Sequence, residues 1–165
     1  MKVLVTAASR HGATGEIGEV IANVLRDAGF AVETRQPDGV GALDYDAIVL
    51  GSGVYAGHWL PAAKKLGERI ATTFDGRRVW LFSSGPIGDP PMPVGEVADA
   101  TALAERVGAR GHASFAGRLD RPSLGFLERT ITRAVGAADG DFRDWEAVRS
   151  WADEIVEALG SVAAA

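Results

Sequence analysis

The run Ala47-Ile48-Val49-Leu50-Gly51-Ser52 constrains the fold more than any other stretch. Its first four residues are all apolar, whereas a strand with one wet face alternates apolar and polar positions. Such a run reads as a parallel strand covered on both sides. Other strands are read at Val3–Val5, Phe30–Thr34, Arg78–Ser84 and His112–Leu119. Between them lie segments of helical period: Thr14–Ala28, a helix opened by Pro61, Val97–Val107, Ser123–Val135, and a last helix capped by Asp144. Strict alternation of strand and helix predicts an α/β domain. We expect one domain over 1–165, a doubly wound five-stranded parallel sheet in the order 2-1-3-4-5, with helices on both faces.

The helical stripes are specific. Ile17, Val20, Ile21, Val24, Leu25 and Ala28 form one apolar face, and Gly29 stands where a terminating glycine belongs. Gly15 and Gly18 are poor helix formers in the first turns, which points to close packing on the sheet or a ligand. Ala63, Leu66 and Ile70 turn inward on the second helix, and Leu124, Leu127, Ile131 and Val135 on the fourth. Trp145, Val148, Ala152, Ile155 and Leu159 turn inward on the last.

In an open parallel sheet, ligands bind beyond the carboxyl ends of the strands. Three such ends are followed by small, hydroxyl-bearing or Gly/Pro-rich loops, and the expected strand order makes them neighbours. The first is Ser9-Arg10-His11-Gly12-Ala13-Thr14, running directly into a helix. A helix start offers free N–H groups and the positive end of its dipole, which suits a phosphate monoester without a metal. The plain alternative is an ordinary strand-to-helix turn capped by Thr14. The second is Gly53-Val54-Tyr55-Ala56-Gly57-His58-Trp59, and the third Gly85-Pro86-Ile87-Gly88 and the prolines after it. No Gly-x-x-x-x-Gly-Lys loop and no Gly-x-Gly-x-x-Gly fingerprint occurs. Ser52 and Ser83 follow apolar strands, but no Gly-x-Ser-x-Gly elbow accompanies them, which argues against a hydrolase.

Composition removes other classes. The chain has no cysteine, so disulfides and thiol chemistry are excluded. The histidines and carboxylates show no metal-ligand spacing. A net charge of −5 argues against a nucleic-acid surface. No run approaches the roughly 18 apolar residues of a membrane span. Met1-Lys2-Val3 leads straight into a strand, so no signal peptide and no transmembrane segment is expected, and a cytoplasmic location is expected.

The Ser-x-x-Gly-x-Thr loop and its two neighbours resemble the flavodoxin superfamily. The resemblance implies a flavodoxin-like fold that binds FMN. Ser9, Arg10, His11, Gly12, Ala13 and Thr14 would hold the phosphate. Ser52, Gly53, Val54, Tyr55, Ala56, Gly57 and His58, with Ser83, Ser84, Gly85, Pro86, Ile87 and Gly88, would flank the ring. The chain is similar to the protoporphyrinogen-dehydrogenase-type branch at Gly51–His58, at Ala116-Gly117-Arg118-Leu119 and at Asp144-Trp145-Glu146-Ala147-Val148. It departs from that branch at Asp120–Leu127, which carries fewer cations and aromatics.

The resemblance implies electron transfer or flavin-dependent oxidoreduction, with a redox partner protein or a small-molecule or quinone substrate. No catalytic residue is assigned. Tyr55 or Trp59 would stack on one flavin face. His58 either donates to a ring atom or substrate, or helps start the second helix. His11 serves the phosphate through its backbone or its ring. Arg118 and Arg121 either meet an anion or are solvated. Two alternatives share the scaffold: a deazaflavin-binding hydride carrier, and a flavin-free interaction domain.

Overall fold

The computed structural model describes residues 1–75, 78–85, 97–119, 140–141 and 143–163. Strands β1 (Lys2–Ala8), β2 (Ala31–Arg35), β3 (Ala47–Tyr55), β5 (Val79–Ser84) and β6 (Gly111–Phe115) form the sheet. The short β4 (His58–Trp59) folds back on β3. The five long strands are all parallel, in the order β2-β1-β3-β5-β6. Counted without β4, this is the expected 2-1-3-4-5.

The apolar runs occupy the middle of the sheet. Val3, Leu4, Ala47 through Leu50, Leu81 and Phe82 are fully buried. Alternate side chains feed two cores. Val3, Val5, Val49, Trp80 and Phe82 meet α1 (Ala13–Asp27) and α4 (Trp145–Ala163) on one face. Leu4, Ile48, Leu50, Val79 and Leu81 meet α2 (Pro61–Thr73) and α3 (Ala98–Val107) on the other. Helices therefore cover both faces, as a continuous apolar strand demands.

The first helix starts one residue earlier than its stripe suggests, at Ala13, and Gly29 ends it with φ +92°. Gly18 lies against Ala7 and Val5, where a Cβ would stand 3.6 Å from the Ala7 Cβ; this is the close packing its presence suggested. Pro61 opens α2 at its first position. Ala147 N–H donates to Asp144 Oδ1 at 3.0 Å, so Asp144 does cap α4.

Three expectations change. The fifth strand stops at Phe115; Arg118–Leu119 instead forms β7, paired antiparallel with β8 (Gly140–Asp141) in a separate small sheet. The third strand does not stop at Ser52. It runs on to Tyr55 and returns through Ala56 and Gly57, at φ 48° and 79°. Positive φ at both central residues makes a tight hairpin turn whose twist suits the strands. What reads as a glycine-rich loop is thus a β-hairpin. Finally, Ala28 is exposed rather than part of the buried stripe. The helix expected at Ser123–Val135 lies outside the described residues.

Candidate functional site at the carboxyl ends of the strands

The register brings Ala8, Ser52 and Gly53, and Ser84 side by side at the carboxyl ends of β1, β3 and β5. A Cβ on Gly53 would lie 3.1 Å from Thr14 Oγ1, 3.8 Å from the Ala8 carbonyl and 3.9 Å from the Ser84 carbonyl. One glycine therefore touches all three segments that the sequence singles out. Gly85 is equally confined: its Cβ would stand 2.8 Å from that of Val54. Absence of a side chain there lets Gly85 lie close against Val54 of the hairpin.

The first loop ends at Gly12, which caps α1 in the left-handed conformation (φ 86°). Gly12 has no side chain with which to cap the helix, and Glu16 N–H reaches back to Gly12 O at 3.0 Å. The preceding N–H groups of the first turn are the donors that a phosphate monoester requires. Among the described residues, nothing lies within 4 Å of a Cβ built on Gly12. Thr14 is buried in that first turn, so it is not the cap. The residues present fit the phosphate end of a flavin nucleotide.

Loop and hairpin are joined. The Arg10 guanidinium lies 4.2 Å from the centre of the Tyr55 ring, and His11 Nε2 shares a 3.1 Å hydrogen bond with the Tyr55 hydroxyl. Tyr55 thus stands between the loop and the hairpin turn. Trp59 does not: it is buried, and its indole N–H donates to Ser83 Oγ at 2.8 Å. Of the two aromatics expected to stack, Trp59 belongs to the core. Ser52 is also buried; its hydroxyl donates to Gly53 O and accepts from Leu60 N–H. Ser52 and Ser83 are the frame beneath the rim. Pro86, Ile87 and Gly88 lie outside the described residues.

His58 projects from the hairpin with 70% of its side chain exposed, and its Nδ1 is 3.2 Å from Asp99 Oδ2. The same carboxylate accepts from Trp59 N–H at 3.0 Å and from Lys64 at 3.4 Å. Burial pushes the Asp99 carboxyl up, but these three donors more than reverse that and hold it below its usual value. Asp99 therefore fastens the hairpin to the start of α3. Nothing in the chain order marks it, because its partners lie about 40 residues away.

A second cluster flanks the first loop. The Arg143 side chain, 4% exposed, donates to Asp141 at 2.8 and 2.6 Å, to Glu16, and to Ala13 O at 3.4 Å. Arg118 donates to Glu16 at 3.4 Å and to His11 O at 3.4 Å. Arg118 thus meets a carboxylate of its own chain and grips the loop, and Arg121 lies outside the described residues. Hydrogen bonding to Arg143 lowers the Asp141 carboxyl to about 2, and Arg143 likewise lowers Glu16.

A doubly wound parallel sheet in this strand order, with helices on both faces, is a flavodoxin-type scaffold. The flavodoxin domain model matches residues 4–145, and the chain belongs to that family. Solved structures share the fold. The flavodoxin of Streptococcus pneumoniae TIGR4 is 19% identical, with 98% of this chain and 99% of that one covered and a TM-score of 0.65. Flavodoxin 1 of Bacillus cereus is 16% identical over 95% of this chain and 98% of its own, TM-score 0.65. Rubredoxin oxygen:oxidoreductase of Desulfovibrio gigas is 17% identical over 99% of this chain, TM-score 0.69; the chain spans 37% of its length. No curated protein matches the chain significantly. Among the described residues, no helix is long and apolar enough to cross a membrane.

Proposed function

We propose that the protein binds FMN at this rim and works as an electron carrier or an FMN-dependent oxidoreductase. The observation that carries the reading is the meeting of the first loop and helix start with the hairpin, through His11 on Tyr55 and through Gly53, which lies against Thr14 and the Ser84 carbonyl. Flavin, when bound, supplies the electron chemistry; the protein binds, orients and tunes it. Here Ser9 through Thr14 would hold the phosphate, and Gly53 through His58 with Ser84 through Gly88 would border the ring. Tyr55 is the stacking candidate, at about 0.5–1.5 kcal/mol beyond its buried area. His58, oriented by Asp99, stands exposed on the hairpin.

Packing of α4 on α1 supports reading 1–165 as one domain. A redox protein or a quinone-like small molecule is the proposed partner. Membership of the protoporphyrinogen-dehydrogenase-type branch would add oxidation of a substrate, and rests on the likeness at Gly51–His58, Ala116–Leu119 and Gly140–Val148. The segment that differs from that branch, Asp120–Leu127, lies outside the described residues.

The test is reconstitution. The purified protein is incubated with FMN, desalted, and its absorbance recorded before and after chemical reduction and exposure to an electron acceptor. Retained flavin bands that bleach and recover support the reading. Retention of a deazaflavin alone shifts it to hydride transfer, and retention of neither overturns it.

A further inference from the structure

Resting on the FMN reading, we infer that Arg118 and Arg143 are positioning residues that aim the first loop's N–H groups at the phosphate. Both arginines come from far along the chain, 102 to 130 residues beyond their partners in α1 and the loop. Both bind backbone carbonyls there: Arg118 that of His11 and Arg143 that of Ala13. A trans peptide is planar, with its C=O and the next N–H pointing opposite ways. Holding the His11 carbonyl therefore turns Gly12 N–H away from Arg118. Holding the Ala13 carbonyl turns Thr14 N–H away from Arg143.

Charge works in the same direction. Glu16 sits in the first turn of α1, where its carboxylate would repel an incoming phosphate. Both guanidinium groups engage Glu16, and Asp141 and the Trp145 ring fix Arg143 from its other sides. Arg143 has a planar fork that meets two carboxylates and a carbonyl at once; a lysine ammonium lacks that geometry.

Dissociation constants for FMN and for riboflavin, measured by quenching of flavin fluorescence, test this in the full chain. Riboflavin lacks the phosphate and serves as the internal control. Arg143→Met should weaken FMN binding about tenfold and leave riboflavin binding within about twofold. Arg118→Met should show the same selectivity with a smaller loss, and Arg143→Lys should fall between wild type and Arg143→Met. Parallel losses for both flavins would mean that the arginines only hold the fold together, and would overturn the inference. An unchanged FMN preference in the variants would also overturn it. Should Arg143→Met fail to fold, the partly exposed Arg118→Met decides the matter. A wild-type protein that binds neither flavin would instead sink the FMN reading, and this inference with it.

Discussion

Two polar clusters brace the same rim and are built on opposite plans. On the α1 and α4 side the centre is a buried cation, Arg143, with half-exposed carboxylates around it. On the α2 and α3 side the centre is a carboxylate, Asp99, with the exposed His58 and Lys64 around it. The first takes up backbone carbonyls, at His11 and Ala13. The second takes up a backbone N–H, at Trp59. A cation that holds carbonyls leaves N–H groups to face elsewhere, while a carboxylate consumes them. The rim is therefore asymmetric: on the proposed reading one side would receive an anion, and the other is closed on itself.

The bluntest way to break both clusters is to disturb the sheet between them. A Cβ at Gly51 would lie 2.1 Å from the Phe82 ring. Gly51→Ala should destabilise the fold by about 3 kcal/mol, read by denaturant unfolding, because a packed core yields little to added volume. Thr14→Ala touches the anion side alone. It should weaken FMN about tenfold with little change in unfolding midpoint, read by fluorescence titration. Asp99→Asn touches the closed side alone. It should lower stability by about 1 kcal/mol and leave the preference for FMN over riboflavin unchanged. A loss of that preference in Asp99→Asn would erase the distinction between the two sides.

Acid should produce the smallest effect and sharpen the comparison. Asp141 is depressed in the folded protein from 3.8 to about 2 by Arg143. A depressed carboxyl contributes stability that is complete above its unfolded value and is lost as pH falls toward its folded one. Thermal unfolding midpoints should therefore decline between about pH 4 and pH 2 more steeply in wild type than in Arg143→Met. Parallel declines would show that the Arg143 pair carries no linked stability.

Periodicity and apolar runs made the strands and four of the helices legible, because both depend on neighbours within a turn or a strand, while the strand order came from the doubly wound pattern. The first two rim segments were legible for the same reason, each following a strand that announces itself; the third lies outside the described residues beyond Gly85. The hairpin was not. Gly53, Ala56 and Gly57 read as a loop, yet Ala56 and Gly57 are what a tight reversal needs, and β3 extends into it. The misreading of Trp59 followed, since an aromatic in a loop reads as exposed while one returning on a hairpin pairs beneath it with Ser83. Arg143 and Asp99 escaped notice because single charges acquire meaning from partners that only the fold supplies.

The most direct test follows the backbone amides themselves. Amide resonances of the labelled protein would be compared on addition of FMN and of riboflavin by two-dimensional NMR. The account predicts large shifts at Gly12, Ala13 and Thr14 with FMN and not with riboflavin, and shifts at Tyr55 and Gly85 with both. Equal responses of the first loop to the two flavins, or shifts confined to another part of the protein, would contradict it.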